Sequence, residues 1–155
     1  MKRIITTLWM MALIASVIII LYLTLSPGAV KKGINLIPFK DNAMFIKAFF
    51  GRGKMSRQAL PRWVYLNLFG NCVLFMPFGF FLMGFLEHSS SRFSYGVVVL
   101  SGCLLSLGIE ALQLFVPTRA TDIDDVIFNT VSTCLGVLVF FMLRSVFFAL
   151  YSQAD

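Results

Sequence analysis

The sequence predicts an all-α integral membrane protein, a bundle of four transmembrane helices in a single domain. Three observations carry that expectation. First, 59% of the 155 residues are hydrophobic, mean hydropathy is +0.88 and only 13% are charged, whereas soluble domains carry about 25% charged residues. Second, apolar segments at about 4–25, 64–86, 95–117 and 126–150 each exceed 20 residues, and a bilayer core takes about 20 helical residues to cross. Third, the polar sequence is confined to the ends and to three connections, at 26–63, 87–94 and 118–125. The chain is too short to add a separate soluble domain. Its net charge of +6 resides mostly in the first connection. A basic loop between apolar spans faces anionic lipid headgroups, so the bilayer and not nucleic acid is the expected partner.

Each element has its own justification. Lys2-Arg3 precede the first span, as in a signal peptide. Its apolar run is longer than the roughly 7–15 residues of a signal core, however, and no Ala-x-Ala site follows, which predicts a retained first helix. The long connection holds an apolar patch, Met44-Phe45-Ile46 and Phe49-Phe50, flanked by Lys40, Lys47 and Arg52. That patch suits either a short interfacial helix or a loop packed on the bundle. Pro77 falls inside the second span, removes one backbone hydrogen bond and predicts a bend near a cavity above Asn71. Trp63, Tyr65 and Tyr22 are placed at one membrane boundary, and Trp9, Tyr95 and Tyr151 at the other. Cys72, Cys103 and Cys134 lie in apolar segments without a CxxC pair, so they read as packing residues and not as a disulfide or zinc framework. No internal repeat is present.

The polar residues inside the spans point to a site. Glu110 lies in the third span, where a carboxylate is costly and marks function by default. Ser106, Glu110 and Gln113 fall at i, i+4 and i+7, on one stripe of that helix, and Asn67 and Asn71 pair likewise on the second. With the third span ending at Pro117, a rise of about 1.5 Å per residue puts Asn71 and Glu110 about 10 Å below one surface. On the same reckoning Asn129 is shallower and Thr133 is level with them. Glu110 is expected to face the bundle interior, with Arg119 or Lys40 as its cationic partner. The segment Thr118–Asp125 packs Arg119, Asp122, Asp124 and Asp125 between two spans. Asp125 could cap the fourth helix, and Asp122, Asp125 and Asn129 align if that helix begins early. Three aspartates raise the question of a divalent cation, but the Asp-x-Asp-x-Asp-Gly pattern is missing, so no metal or cofactor is expected. His88, beside Glu87, reads as a solvated interface residue.

Four motifs together resemble those of VanZ-like membrane proteins. Asn35-Leu36-Ile37-Pro38-Phe39 is similar to an Asn-Leu-x-Pro-Phe element of that family, and Asn71-x-x-x-Phe75-Met76-Pro77-Phe78-Gly79 to its second motif. Ile109-Glu110-Ala111-Leu112-Gln113 is similar to the third, and Ala120–Thr130 closely to the fourth. They run in family order over residues 35–136. Two departures stand out. Ser132-Thr133 replace a small residue and paired glycines, with Gly136 beyond, so close helix approach is expected to differ there. The chain also ends soon after the fourth span, where the founding type carries a further hydrophobic segment.

The resemblance implies a multi-pass protein of the bacterial plasma membrane, associated through the founding member with low-level teicoplanin resistance. It implies shared residues at Asn35, Pro38, Phe39, Asn71, Glu110, Gln113, Asp122, Asp125 and Asn129, to which Arg119 is added as a ligand-binding candidate by charge and position. Three functions are weighed. The favoured one is a non-enzymatic factor that binds an envelope lipid or lipid-linked precursor. An intramembrane enzyme would use Glu110 as general acid/base, with Asp122 or Asp125 orienting it or holding a metal. A small transporter or flippase component would need a homo-oligomer, since four helices enclose little volume. Lys2-Arg3 argue for an inside N-terminus and hence an outside motif face, the orientation adopted. Eight basic residues in the long connection (Lys31, Lys32, Lys40, Lys47, Arg52, Lys54, Arg57 and Arg62) pull the other way.

Overall fold

The structure is a computed structural model that describes residues 2–27, 33–39, 62–89 and 95–152, with backbone alone at 62–68 and 151. The described residues form four helices: α1 (Lys2–Leu25), α2 (Arg62–Ser89), α3 (Tyr95–Gln113) and α4 (Ile123–Tyr151). All are long and apolar enough to cross a membrane. The expected all-α bundle is therefore the observed one. Two short strands, β1 (Ile34–Asn35) and β2 (Thr121–Asp122), were not expected; they pair in parallel, Ile34 opposite Thr121 and Asn35 opposite Asp122.

Three helix boundaries depart from expectation by three residues or more, and the second helix does so by running on to Ser89 and not stopping at 86. The third helix stops at Gln113, four residues short of Pro117, and 114–117 form turns closed by Phe115 N–H to Leu112 O and Val116 N–H to Gln113 O, both 3.0 Å. Leu114-Phe115-Val116 prolonged the apolar run without prolonging the helix. The fourth helix starts at Ile123, three residues early. Asp122, not Asp125, is its N-cap, accepting a hydrogen bond from Asp124 N–H at 3.0 Å. Asp124 and Asp125 fall in the first helical turn, where carboxylates favour the positive end of the helix dipole.

α4 packs most extensively on α2, α2 next on α1, and α3 on α4. The α2–α4 seam is closed by glycine: a Cβ at Gly136 would stand 2.1 Å from Met76 O, and one at Gly79 2.2 Å from Thr133 O. Those distances leave room only for hydrogen, so the two backbones touch, as small residues allow in membrane helix pairs. Gly102 of α3 likewise accommodates the Thr133 side chain. Close approach, expected to differ at Ser132-Thr133, is achieved there because Gly79, Gly102 and Gly136 supply the space around a fully buried Thr133. α2 continues as one helix through Pro77. Two apolar clusters fill the bundle. One joins Ile20, Phe75, Phe78 and Ile109, and the other joins Met83, Val98, Val137 and Phe140. Outward-facing Ile, Leu, Val and Phe along every helix, such as Ile18, Val73, Leu104 and Leu143, are exposed, as a bilayer solvent permits.

The expected aromatic boundary holds in part. Tyr22 and Tyr95 are exposed, but Trp9 is half-buried and packs on Phe80, Phe81, Phe140 and His88. The side chains of Trp63, Tyr65 and Tyr151 lie outside the described residues, as do Lys40, the apolar patch at 44–50 and the basic residues 31–57.

Candidate functional site

The motif residues converge on the start of α4, and hydrogen bonds explain how. Asp122 is the hub. Its backbone N–H donates to Glu110 Oε2 at 2.8 Å, and its Oδ1 accepts from both Asp124 N–H and Asn35 Nδ2, the latter at 3.2 Å. Glu110 is 5% exposed and faces inward, as expected. It is not paired with Arg119. Its carboxylate instead fixes the backbone of the cap residue, while Thr121 Oγ1 donates to the Glu110 carbonyl at 3.3 Å. The α3 stripe and the α4 cap are thereby clamped together.

Arg119 serves a different element. Its Nε donates to Ser26 O at 2.9 Å and its Nη2 to Leu23 O at 2.7 Å. Gln113 Nε2 adds a bond to Thr24 O at 3.0 Å. These carbonyls are the ones a helix C-terminus leaves without partners, and the Arg119 charge complements the negative end of the α1 dipole. The expectation of an Arg119–Glu110 pair fails because the nearer demand on the guanidinium is the end of α1.

The Asn35–Phe39 segment straps onto α4. Asn35 Oδ1 accepts from Ile37 N–H at 3.3 Å, shaping the turn that contains Pro38. Phe39 then adopts a left-handed backbone, φ 60°, unusual for an aromatic residue. Its N–H donates to Asp124 Oδ1 at 2.6 Å and its ring meets Phe128 edge-on at 6.3 Å. Such a conformation costs about 1–3 kcal/mol unless neighbours impose it, and these two contacts do. Asp124 is fully buried, although it was not among the candidate site residues. It is the functional-site residue that sequence reasoning undervalued. The signal available was its place in the first turn of a helix.

α2 joins through Asn71 Nδ2, which donates to Asp125 Oδ1 at 3.0 Å. One level below, Asn129 Nδ2 donates to Ser106 Oγ at 2.8 Å. The depth order is therefore the reverse of that expected. Glu110, three residues from the end of α3, is level with the α4 cap, and Asn129, seven residues past the cap, lies about 10 Å further in. Asn71, Glu110, Asp122 and Asp125 do form one connected end. Asn67's side chain lies outside the described residues. One oxygen of each aspartate, Oδ1, accepts from an amide donor, and among the described residues no three acidic, cysteine or histidine side chains are grouped as metal ligands would be. Two buried acceptors, Gln113 Oε1 and Asn129 Oδ1, have no partner among the described residues.

A cavity of about 260 Å³ opens beside this network. Its lining includes Ile34 of β1, Gln113, Val116, Arg119 and Thr121. It therefore lies where the third motif, the fourth motif and the residues just before the first come together.

Comparison with family models decides the affiliation: the VanZ/LLP1 model matches residues 4–144. The chain belongs to the VanZ/LLP1 family. No match to it was found among curated proteins or solved structures. VanZ/LLP1 membership and four membrane-length helices make this a multi-pass membrane protein. The family match extends beyond the motif range, through α1 and most of α4.

Proposed function

We propose that this VanZ-like protein, in the bacterial plasma membrane, binds the phosphate-bearing headgroup of an envelope lipid or lipid-linked precursor at the motif end and so lowers susceptibility to glycopeptides such as teicoplanin. The observation that carries the reading is the cavity beside Gln113 and Arg119. Gln113 lines it, and its buried Oε1 is an acceptor without a partner among the described residues, suited to a hydroxyl or amine of a headgroup, while the phosphate falls to Arg119. Arg119 commits two donors to the end of α1, and a guanidinium has five, arranged to suit phosphate. Binding is favoured over acid/base catalysis because Glu110 and the aspartates are engaged in holding backbone N–H groups and amides.

The test is glycopeptide susceptibility on deletion and re-expression, paired with lipid analysis of the purified protein. Deletion is expected to lower the inhibitory concentration and re-expression to restore it. Gln113→Leu should abolish the restoration and remove the co-purified lipid. Glu110→Gln should preserve it, since a glutamine carbonyl can still accept from the Asp122 amide. Loss of function in Glu110→Gln with lipid retained would instead favour the enzymatic reading. For orientation, a Ser56→Cys chain with Cys72, Cys103 and Cys134 replaced by alanine should be labelled in intact cells by a membrane-impermeant thiol reagent. Labelling only after permeabilisation would place the motif face inside.

A further inference from the structure

The end of the bundle away from the motifs holds a larger cavity, about 400 Å³, that the proposed function does not use. Its walls are aromatic: Trp9 lies 5.5 Å from Phe80 and 5.8 Å from Phe140, ring to ring. Glu87 and Arg144 also line it, joined by a 2.9 Å ion pair through Glu87 Oε1. The other carboxylate oxygen, Oε2, is shut off from solvent and has no partner among the described residues. The Arg144 guanidinium lies over the Phe148 ring at 5.6 Å, yet its side chain is 45% exposed. A second cavity, lined by Lys2, Arg3, Thr6 and Thr7 of α1, shares His88 with the first. Next to these groups Leu143, Phe147 and Phe148 face outward.

A ligand suited to this place needs an apolar body, an anionic group for Arg144 with Lys2 and Arg3, and a cationic donor for Glu87 Oε2. We propose that the cavity is a binding site for a glycerophospholipid with a primary-amine headgroup, of the ethanolamine type. The Glu87 carboxylate turns to present Oε2 to the ammonium, the phosphate lies toward Arg144 and the basic residues of α1, and an acyl chain runs along Leu143 and Phe148. Chemistry separates it from other lipids. A trimethylammonium headgroup has no N–H to give. A glycerol headgroup can donate a hydroxyl but cannot neutralise the carboxylate, and charge-assisted bonds are roughly twice as strong as neutral ones.

Trp9 reports on the site directly. The full chain with Trp63→Phe, leaving Trp9 as its one tryptophan, is reconstituted in phosphatidylcholine vesicles. Lipids with dibrominated acyl chains and ethanolamine, choline or glycerol headgroups are then titrated in as quenchers. The ethanolamine lipid is expected to half-saturate quenching at a mole fraction about tenfold below the other two, equivalent to about 1.4 kcal/mol. Glu87→Gln should shift the ethanolamine curve onto the choline curve and leave the choline curve in place. Coincident curves in the unsubstituted Glu87 protein would mean annular lipid only and overturn the proposal. So would a glycerol lipid that outcompetes ethanolamine, which would make the site anion-selective. The three-lipid comparison decides the matter even if Glu87→Gln does not fold.

Discussion

At the motif end, carboxylates and amides from three helices hold one another, the β1 segment and the end of α1 by directed hydrogen bonds. At the opposite end, Trp9, Phe80, Phe81, Phe140 and Phe141 interlock around a single described ion pair. Both ends close the same four helices. The aromatic end does so by shape, which tolerates many residues of similar volume. The polar end does so by satisfying specific donors, so loss of one partner strands the other away from water. The difference is one of tolerance: a residue that fills volume can be exchanged for another of like size, whereas each donor at the polar end needs its own acceptor.

Substitutions can break or sharpen this contrast, and all are read by unfolding in mild detergent against a denaturing one. The largest effect is expected between the two ends. Gly136→Leu should cost about 3 kcal/mol, because the Cβ meets the Met76 carbonyl at 2.1 Å and backbone cannot give way as a side chain would. Next comes Asp124→Ala, at about 2 kcal/mol, since it strands the Phe39 N–H and removes the contact that enforces a positive φ. Asp124→Asn retains an acceptor and should recover most of that loss. If Asp124→Ala proved no worse than Glu87→Gln, the polar end would not be the more specific one. Asn71→Leu should cost about 0.6 kcal/mol, the usual value for an interhelical hydrogen bond in membranes. The smallest effect is at the far rim: Arg144→Gln should cost less than about 0.5 kcal/mol, because its partly exposed ion pair is screened by solvent.

Much of the fold was legible in the sequence, and the failures have physical causes. The spans were readable because each apolar run matches a bilayer. α1 and α2 begin within two residues of expectation. The end of α3 was missed because hydropathy does not distinguish the last helical turn from Leu114-Phe115-Val116 in a turn. The start of α4 was missed because Asp124 and Asp125 look like loop residues until the helix dipole is counted. Strands of two residues carry no periodicity, so the β1–β2 pair left no trace. Within the site, the i, i+4, i+7 stripe correctly turned Glu110 and Gln113 inward. Their partners were not readable. Arg119 bonds to carbonyls more than ninety positions earlier, and backbone carbonyls have no sequence identity. The left-handed Phe39 was equally hidden, since nothing about an aromatic residue announces that geometry.

The clasp on α1 has a consequence for biogenesis. Leu23, Thr24 and Ser26 leave the ribosome well before Gln113 and Arg119, the groups that satisfy their carbonyls. Until translation has passed α3, α1 must rest in the translocon or the lipid with a bare terminus. α1 is thus secured late, by residues made after it has already been inserted.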